Sequence, residues 1–303
     1  MPTALPLRHL LLALAVVAVW GTNFVVIKVA LAHFPPLLLA ALRFTLALLP
    51  AVFFLPRPAV SWRNLAAYGV LIGVGQFGVL FVAMQAQISP GLASLVVQMQ
   101  VFFTIALAMR ITKERVQPFQ WWALLLAVAG ISVIVLHTDG STTPLGLAMA
   151  LFAALCWGGG NTASRQAGRV NMLAYVVWSS AFAAPPLILL SLVFEGSHAW
   201  WTSMQNADLP SWLAVVWQAW GNSLFGYAVW AWLLGRYPAA TISPTALMVP
   251  VFGMGTAAWW LGEPLPTWKL VAAGLVMLGL ALNLLWPRWR PPVAPAQVLK
   301  TRR

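Results

Sequence analysis

Charge is scarce in this sequence. Of 303 residues only 7% are charged, and only five are acidic. Water-soluble domains carry about 25% charged residues. So few charges cannot cover a soluble surface, which excludes a soluble globular protein. Cysteine is nearly absent too. Cys156 stands alone, so no internal disulfide can form, and it reads as a small apolar helix residue. The four histidines (His9, His33, His137, His198) are dispersed near the ends of apolar runs, where they read as interfacial residues. No His/Cys spacing suits a metal, and there is no P-loop and no nucleophile motif. The sequence therefore predicts no catalytic residues, no metal and no cofactor.

Apolar side chains fill the space. The hydrophobic share is 61%, and the mean hydropathy is +0.85. A helix needs about 20 mostly apolar residues to cross the hydrocarbon of a bilayer. Ten stretches qualify: 9–31, 35–55, 64–86, 89–110, 118–137, 144–166, 171–194, 210–235, 239–261 and 267–287. Helices are expected because open strands would leave backbone groups unpaired in lipid. The N-terminal run continues through Trp20 to Ala32, too long for a signal peptide, and reads as the first span. Short connections join the spans, many marked by Pro or Gly. The longest is the acidic segment near 195–209, and a Pro-rich basic tail follows the last span. The net charge of +12 lies between the apolar runs. That placement suits anionic lipid headgroups rather than nucleic acid.

Lys and Arg set the orientation. With the N-terminus in the cytoplasm, 14 of the 17 basic residues fall on the cytoplasmic side. Four of the five acids (Asp139, Glu195, Asp208, Glu263) then fall outside, as do Lys28 and Lys269. Both termini are expected inside.

An internal repeat is visible. "VWGTNFVVIK" at 19–28 echoes "CWGGGNTASR" at 156–165. Glu114 and Glu263 are 149 residues apart, as are Gly130 and Gly279. Each half holds five spans, and an odd number turns the second copy upside down. The predicted fold class is thus an all-α integral membrane protein of ten transmembrane helices. Its two inverted five-helix repeats cover 9–137 and 144–287, with a basic cytoplasmic tail at 288–303. Inverted repeats recur in secondary transporters, whose substrate site lies between them at the midplane.

The "WGTNFVVIKVAL" opening, "PPLLLAALRF", "GLASLV" and the two Glu motifs resemble the EamA family of the drug/metabolite transporter superfamily. So do "LLGRY" at 233–237 and "LMVPVFG" at 247–253. The resemblance covers 10–287. It implies a bacterial inner-membrane carrier that exports amino acids or their metabolites, of the O-acetylserine and cysteine kind, by alternating access without ATP. After Arg165 the second "WG" motif departs from the first, so residue roles are not copied between halves.

Polar side chains within spans are the candidate chemistry, because hydrocarbon disfavours them unless they face a cavity or a neighbouring helix. They are Asn23, Gln76, Gln98, Gln100, Asn161 and Asn222, with Tyr227 and the deep Trp157 beside them. Each alone is explained by helix–helix hydrogen bonding. Drawn from both halves, they suggest one central cavity, whose amides would offer a zwitterion both donors and acceptors. The triplet Gly158–Gly160 beside Asn161 reads as close helix approach, or as a flexible point at the site. Arg43 sits eight residues into its span, about 12 Å deep at 1.5 Å per residue. It is a candidate gating residue or carboxylate anchor, against the plainer reading of snorkelling. Glu114 and Glu263 read as helix-end acids paired with bases.

The expected partners are a small-molecule substrate and membrane lipids, not nucleic acid; a homodimer is compatible with the sequence. An alternative solute, such as aromatic amino acids or drugs, and a lipid-handling protein are the competing readings.

Overall fold

The computed structural model describes residues 6–112, 117–137, 142–237 and 239–289. Glu114, Asp139 and the predicted tail beyond Trp289 lie outside the described residues. Among the described residues there is no strand, and the chain folds into helices. These are α1 (Leu7–Ala30), α2 (Pro36–Leu48), α3 (Trp62–Ala86), α4 (Pro90–Arg110), α5 (Pro118–Leu136) and α6 (Pro144–Gln166). They continue with α7 (Met172–Phe194), the short α8 (Gly196–Asn206), α9 (209–236), α10 (239–261) and α11 (Thr267–Trp289). Eight are long and apolar enough to cross a membrane: α1 to α7, with α2 running through a 3₁₀ turn to Phe53, and α11. The other two predicted stretches, α9 and α10, are helical but interrupted. A π segment, Trp217–Phe225, divides α9, and a 3₁₀ segment, Ser243–Leu247, divides α10.

Helix starts follow from local chemistry. Pro36, Pro90, Pro118 and Pro144 open their helices, where a missing N–H costs nothing and φ is already helical. Ser61, Thr143, Asn171 and Asp208 accept backbone N–H groups at the starts of α3, α6, α7 and α9. The connection expected at 195–209 is mostly helix. Gly196 (φ +83°) turns the chain, and the Trp200 indole then donates to Ser191 at 2.7 Å, folding α8 back on α7.

Packing is pairwise. α1 lies on α10, α4 on α6, α2 on α7 and α5 on α11, while α3 packs on α6 and α7, and α9 on α1 and α2. Exchanging α1–α5 in order for α6, α7, α9, α10 and α11 leaves these partners unchanged. Glycines set the closest crossings. A Cβ on Gly130 would lie 2.8 Å from the Ala272 carbonyl of α11, and one on Gly279 would lie 2.5 Å from the Ala123 carbonyl of α5. A Cβ on Gly21 would meet Phe252 of α10 at 2.5 Å, and one on Gly158 would meet Phe103 of α4 at 3.0 Å. Gly158–Gly160 lies in continuous helix, so the triplet serves close approach. Only 22% of α5 and 28% of α11 is buried, against at least 44% of the other six long helices, so this pair forms an outer rail.

The two ends of the bundle are held differently. The terminal end carries the start of α1 and the end of α11; the opposite end is termed the far end. At the far end Glu263 accepts from the Ser89 hydroxyl at 2.5 Å, the Gly91 amide at 2.9 Å and buried Lys269 at 3.0 Å. It thereby caps the start of α4, where a carboxylate also suits the helix dipole. Glu195 accepts from the amides of Leu37 and Leu38 at 2.7 and 2.9 Å, capping α2. Lys28 donates to the carbonyls of Met84 and Gln85 at the end of α3, at 3.2 and 2.9 Å. His33 contacts Ser211 at 2.9 Å and Asp208 at 3.5 Å. At the terminal end the described residues that join helices make neutral contacts. His9 Nδ1 lies 2.5 Å from the Tyr237 hydroxyl. Asn64 donates to the Ala163 carbonyl at 2.8 Å and accepts from the Tyr175 hydroxyl at 2.6 Å.

Candidate functional site

The bundle encloses a cavity of about 510 Å³. Asn23, Gln76, Gln98, Gln100, Trp157, Asn161, Asn222 and Tyr227 all line it. They come from α1, α3, α4, α6 and α9. Trp20, Tyr68, Ser164 and Trp230 join them, and among the described residues no acidic, basic or histidine side chain does. The lining extends toward the terminal end, where Tyr68, Ser164, Met172, Leu234, Ser243 and Leu284 lie near helix ends. On α6, α10 and α11 no lining residue falls in the far half.

Winding matters on two helices. α3 is π-helical over Val70–Gly78 and α9 over Trp217–Phe225. Wider i→i+5 turns occur mostly as local bulges, often at functional sites. In α9 the wide turn brings Ser223 under Gln218, and the Ser223 hydroxyl donates to the Gln218 carbonyl at 3.1 Å. Gln218, Asn222 and Ser223 then share one face, directed at α2. In α3 the wide turn presents Gln76 and Phe77 to the cavity.

Arg43 does not line the cavity. It is fully enclosed behind the wall at 1% exposure. Its Nη1 donates to Gln218 Oε1 at 2.6 Å, and its Nη2 to Asn222 Oδ1 at 3.0 Å and to Ser223 Oγ at 3.1 Å. The guanidinium carbon sits 3.6 Å from the Phe77 ring centroid, and Phe77 is itself cavity wall. Three oxygen dipoles and an aromatic face thus hold a cation with no carboxylate partner among the described residues. Asn23 Nδ2 adds a bond to Gln218 Oε1 at 3.3 Å. Asn23 Oδ1, Gln76 Oε1, Gln218 Nε2 and Arg43 Nε are buried without partners.

The opposite wall is neutral. Asn161 Nδ2 donates to Gln100 Oε1 at 2.7 Å and to Thr104 Oγ1 at 3.2 Å. Of the other deep tryptophans, Trp217 and Trp220 are exposed on the outer surface, and Trp178 donates to the Leu55 carbonyl. Sequence reasoning missed Gln218 and Ser223 as the partners of Arg43. Gln218 stands four residues before Asn222, a spacing that signals one helix face. Ser223 carried no such signal, because only π winding turns it inward. The described residues contain no cluster able to hold a metal.

Matches to known proteins fit this architecture. The model of the EamA-like transporter family matches the chain twice, over residues 7–136 and 144–285. The chain belongs to the EamA-like transporter family. A probable amino-acid metabolite efflux pump of Salmonella typhimurium strain LT2 is 41% identical over 279 residues, covering 90% of this chain and 93% of its own. A protein of the same description from Escherichia coli strain K12 is 39% identical, covering 93% and 96%. An uncharacterized transporter of Bacillus subtilis is 27% identical, covering 89% and 94%. One crystal structure superposes with a TM-score of 0.64 at 21% identity, covering 94% of this chain and 99% of that one, which shows a shared fold. As an EamA-like transporter the chain is a multi-pass membrane protein.

Proposed function

We propose that this EamA-like protein exports amino acids or their metabolites, of the O-acetylserine and cysteine kind, across the bacterial inner membrane by alternating access. Asn23, Gln76, Gln98, Gln100, Trp157, Asn161, Asn222 and Tyr227 form its substrate site, with Arg43 behind them. The carrying observation is the cavity itself: polar residues from both halves converge on one apolar-walled space of about 510 Å³. Polar groups placed sparsely in an apolar cavity are the usual form of a small-molecule site. The descriptions of the two relatives near 40% identity favour amino-acid metabolites as cargo.

The ten spans form two inverted repeats, over 9–137 and 144–287, with α9 and α10 crossing despite their interruptions. Support comes from the tandem family match, from the exchange-symmetric packing and from the equal π segments of α3 and α9. The charge bias supports cytoplasmic termini, which makes the terminal end cytoplasmic. No chemistry in the cavity calls for a catalytic role.

Proteoliposomes test the function. Labelled cysteine or O-acetylserine should cross faster than into empty vesicles, and Asn23→Ala or Gln98→Ala should slow the flux while the protein still inserts. Rates equal to empty liposomes for every amino-acid compound would sink the reading.

A further inference from the structure

The buried guanidinium has a consequence for the amides around it. An amide side chain in a cavity can usually flip, exchanging donor for acceptor. Next to Arg43 it cannot, because guanidinium nitrogens only donate. Asn222 must therefore turn its oxygen toward Arg43, which leaves Asn222 Nδ2 at the cavity wall without a hydrogen-bond acceptor among the described residues. Gln218 must do the same. Because Gln218 Oε1 is then the acceptor facing Asn23, Asn23 has to offer its Nδ2 there. That leaves Asn23 Oδ1, in a residue 3% exposed at the cavity wall, as an acceptor without a donor. One cation thus fixes two neighbouring amides with opposite polarity, one showing N–H and the other C=O. Among the described residues no acidic side chain lines the cavity to favour a bare cation, and Arg43 lies one ring behind Phe77 to oppose it.

We infer that Arg43 is a positioning residue which, through Asn222, Gln218 and Asn23, sets the cavity to take a small zwitterion. The zwitterion's carboxylate accepts from Asn222 and its ammonium donates to Asn23. Arg43 itself does not touch the cargo. The inference rests on the amino-acid reading proposed above and deepens it. It differs from a simple electrostatic role. A positive charge acting at a distance would rank an N-acylated acid first, whereas fixed amides of opposite polarity rank the zwitterion first.

The test measures affinities of the purified protein for cysteine, cysteine methyl ester and N-acetylcysteine. The ester lacks the carboxylate and the acetyl compound lacks the ammonium. Wild type should prefer cysteine over each by roughly tenfold or more, as expected for a hydrogen bond to a charged group. In Arg43→Met the amides are free to flip, and both preferences should fall to within about threefold. A general loss of packing would weaken all three compounds alike, so the ratios report positioning. Should Arg43→Met fail to fold, Asn222→Leu should erase only the preference over the ester, and Asn23→Leu only the preference over the acetyl compound. A folded Arg43→Met with wild-type ratios, or unchanged ratios in both leucine variants, overturns the inference. Wild type that ranks N-acetylcysteine first, or binds cysteine and its ester alike, overturns it while leaving amino-acid export standing. Wild type that binds none of the three overturns this inference, while the export reading falls only if every amino-acid compound also fails to cross in proteoliposomes.

Discussion

The two ends of this bundle solve the same problem with different chemistry. At the far end, ionised side chains complete helix ends: Glu263 and Glu195 cap α4 and α2, and Lys28 closes α3. At the terminal end, the described residues that join helices are neutral: His9 with Tyr237, and Asn64 with Ala163 and Tyr175. The far end is also where the lining of α6, α10 and α11 stops short, although the lining residues of α1 all lie in its far half. Ionic caps are costly to break once desolvated, and neutral contacts are cheaper. The comparison teaches that, among the described residues, parting the helices at the far end means separating charges, whereas parting them at the terminal end means rearranging dipoles.

Four measurements would break or sharpen that contrast. The largest effect belongs to Glu263→Gln. It leaves Lys269, at 0% exposure, without a counter-charge, and removing one partner of a buried pair costs about 3–5 kcal/mol. Unfolding of the detergent-solubilised protein should show that loss, and adding Lys269→Met should recover part of it. Equal stability of the single and double variants contradicts the ionic account. Glu195→Ala comes next. It strands the two amide donors of α2, at about 1–3 kcal/mol for groups left unsatisfied. Its melting temperature should fall less than that of Glu263→Gln, because no cation is orphaned. At the terminal end His9→Phe keeps the ring against Trp232 and loses only the Tyr237 contact. The expected cost is about 1 kcal/mol, and a cost matching Glu263→Gln would erase the difference between the ends.

The smallest effect is titratable. The Ser211 hydroxyl and amide, then the His33 ring, hold the Asp208 carboxyl below its ordinary range. A depressed folded value means that its stabilisation is present above the ordinary carboxylate value. It is lost as pH falls through the folded one. Asp208→Ala should therefore melt below wild type at neutral pH, and the gap should close on acidification. A gap that persists in acid assigns the effect to packing rather than to the charge.

Much of this was legible in the sequence. The span expected at 144–166 is the observed α6, and 118–137 differs from α5 by one residue, because hydropathy reports burial in lipid directly. The polar residues chosen from five spans meet in one cavity because hydrocarbon leaves such groups few other places to go. Winding was illegible. Nothing in the composition of Trp217–Phe225 announces a π turn, so the face shared by Gln218 and Ser223 emerged only in three dimensions. The connection near 195–209 misled for a related reason. Its polarity suggested a loop, yet one indole–hydroxyl bond and a left-handed glycine suffice to seat a short helix there.

Arg43 has one more consequence, and it is electrical. A full elementary charge crossing a bilayer exchanges about 2.3 kcal/mol with each 100 mV of membrane potential. A zwitterion carries no net charge through that field, so its export moves no current of its own. Any dependence of the export rate on voltage then reports displacement of other charges, the protein's own or a coupled ion's, and Arg43 is a buried cation directly behind the cavity wall. A flat voltage response would mean that α2 and α9 hold still while the cavity changes sides. A sloped one would include the distance the guanidinium travels in each cycle, beside that of any coupled ion.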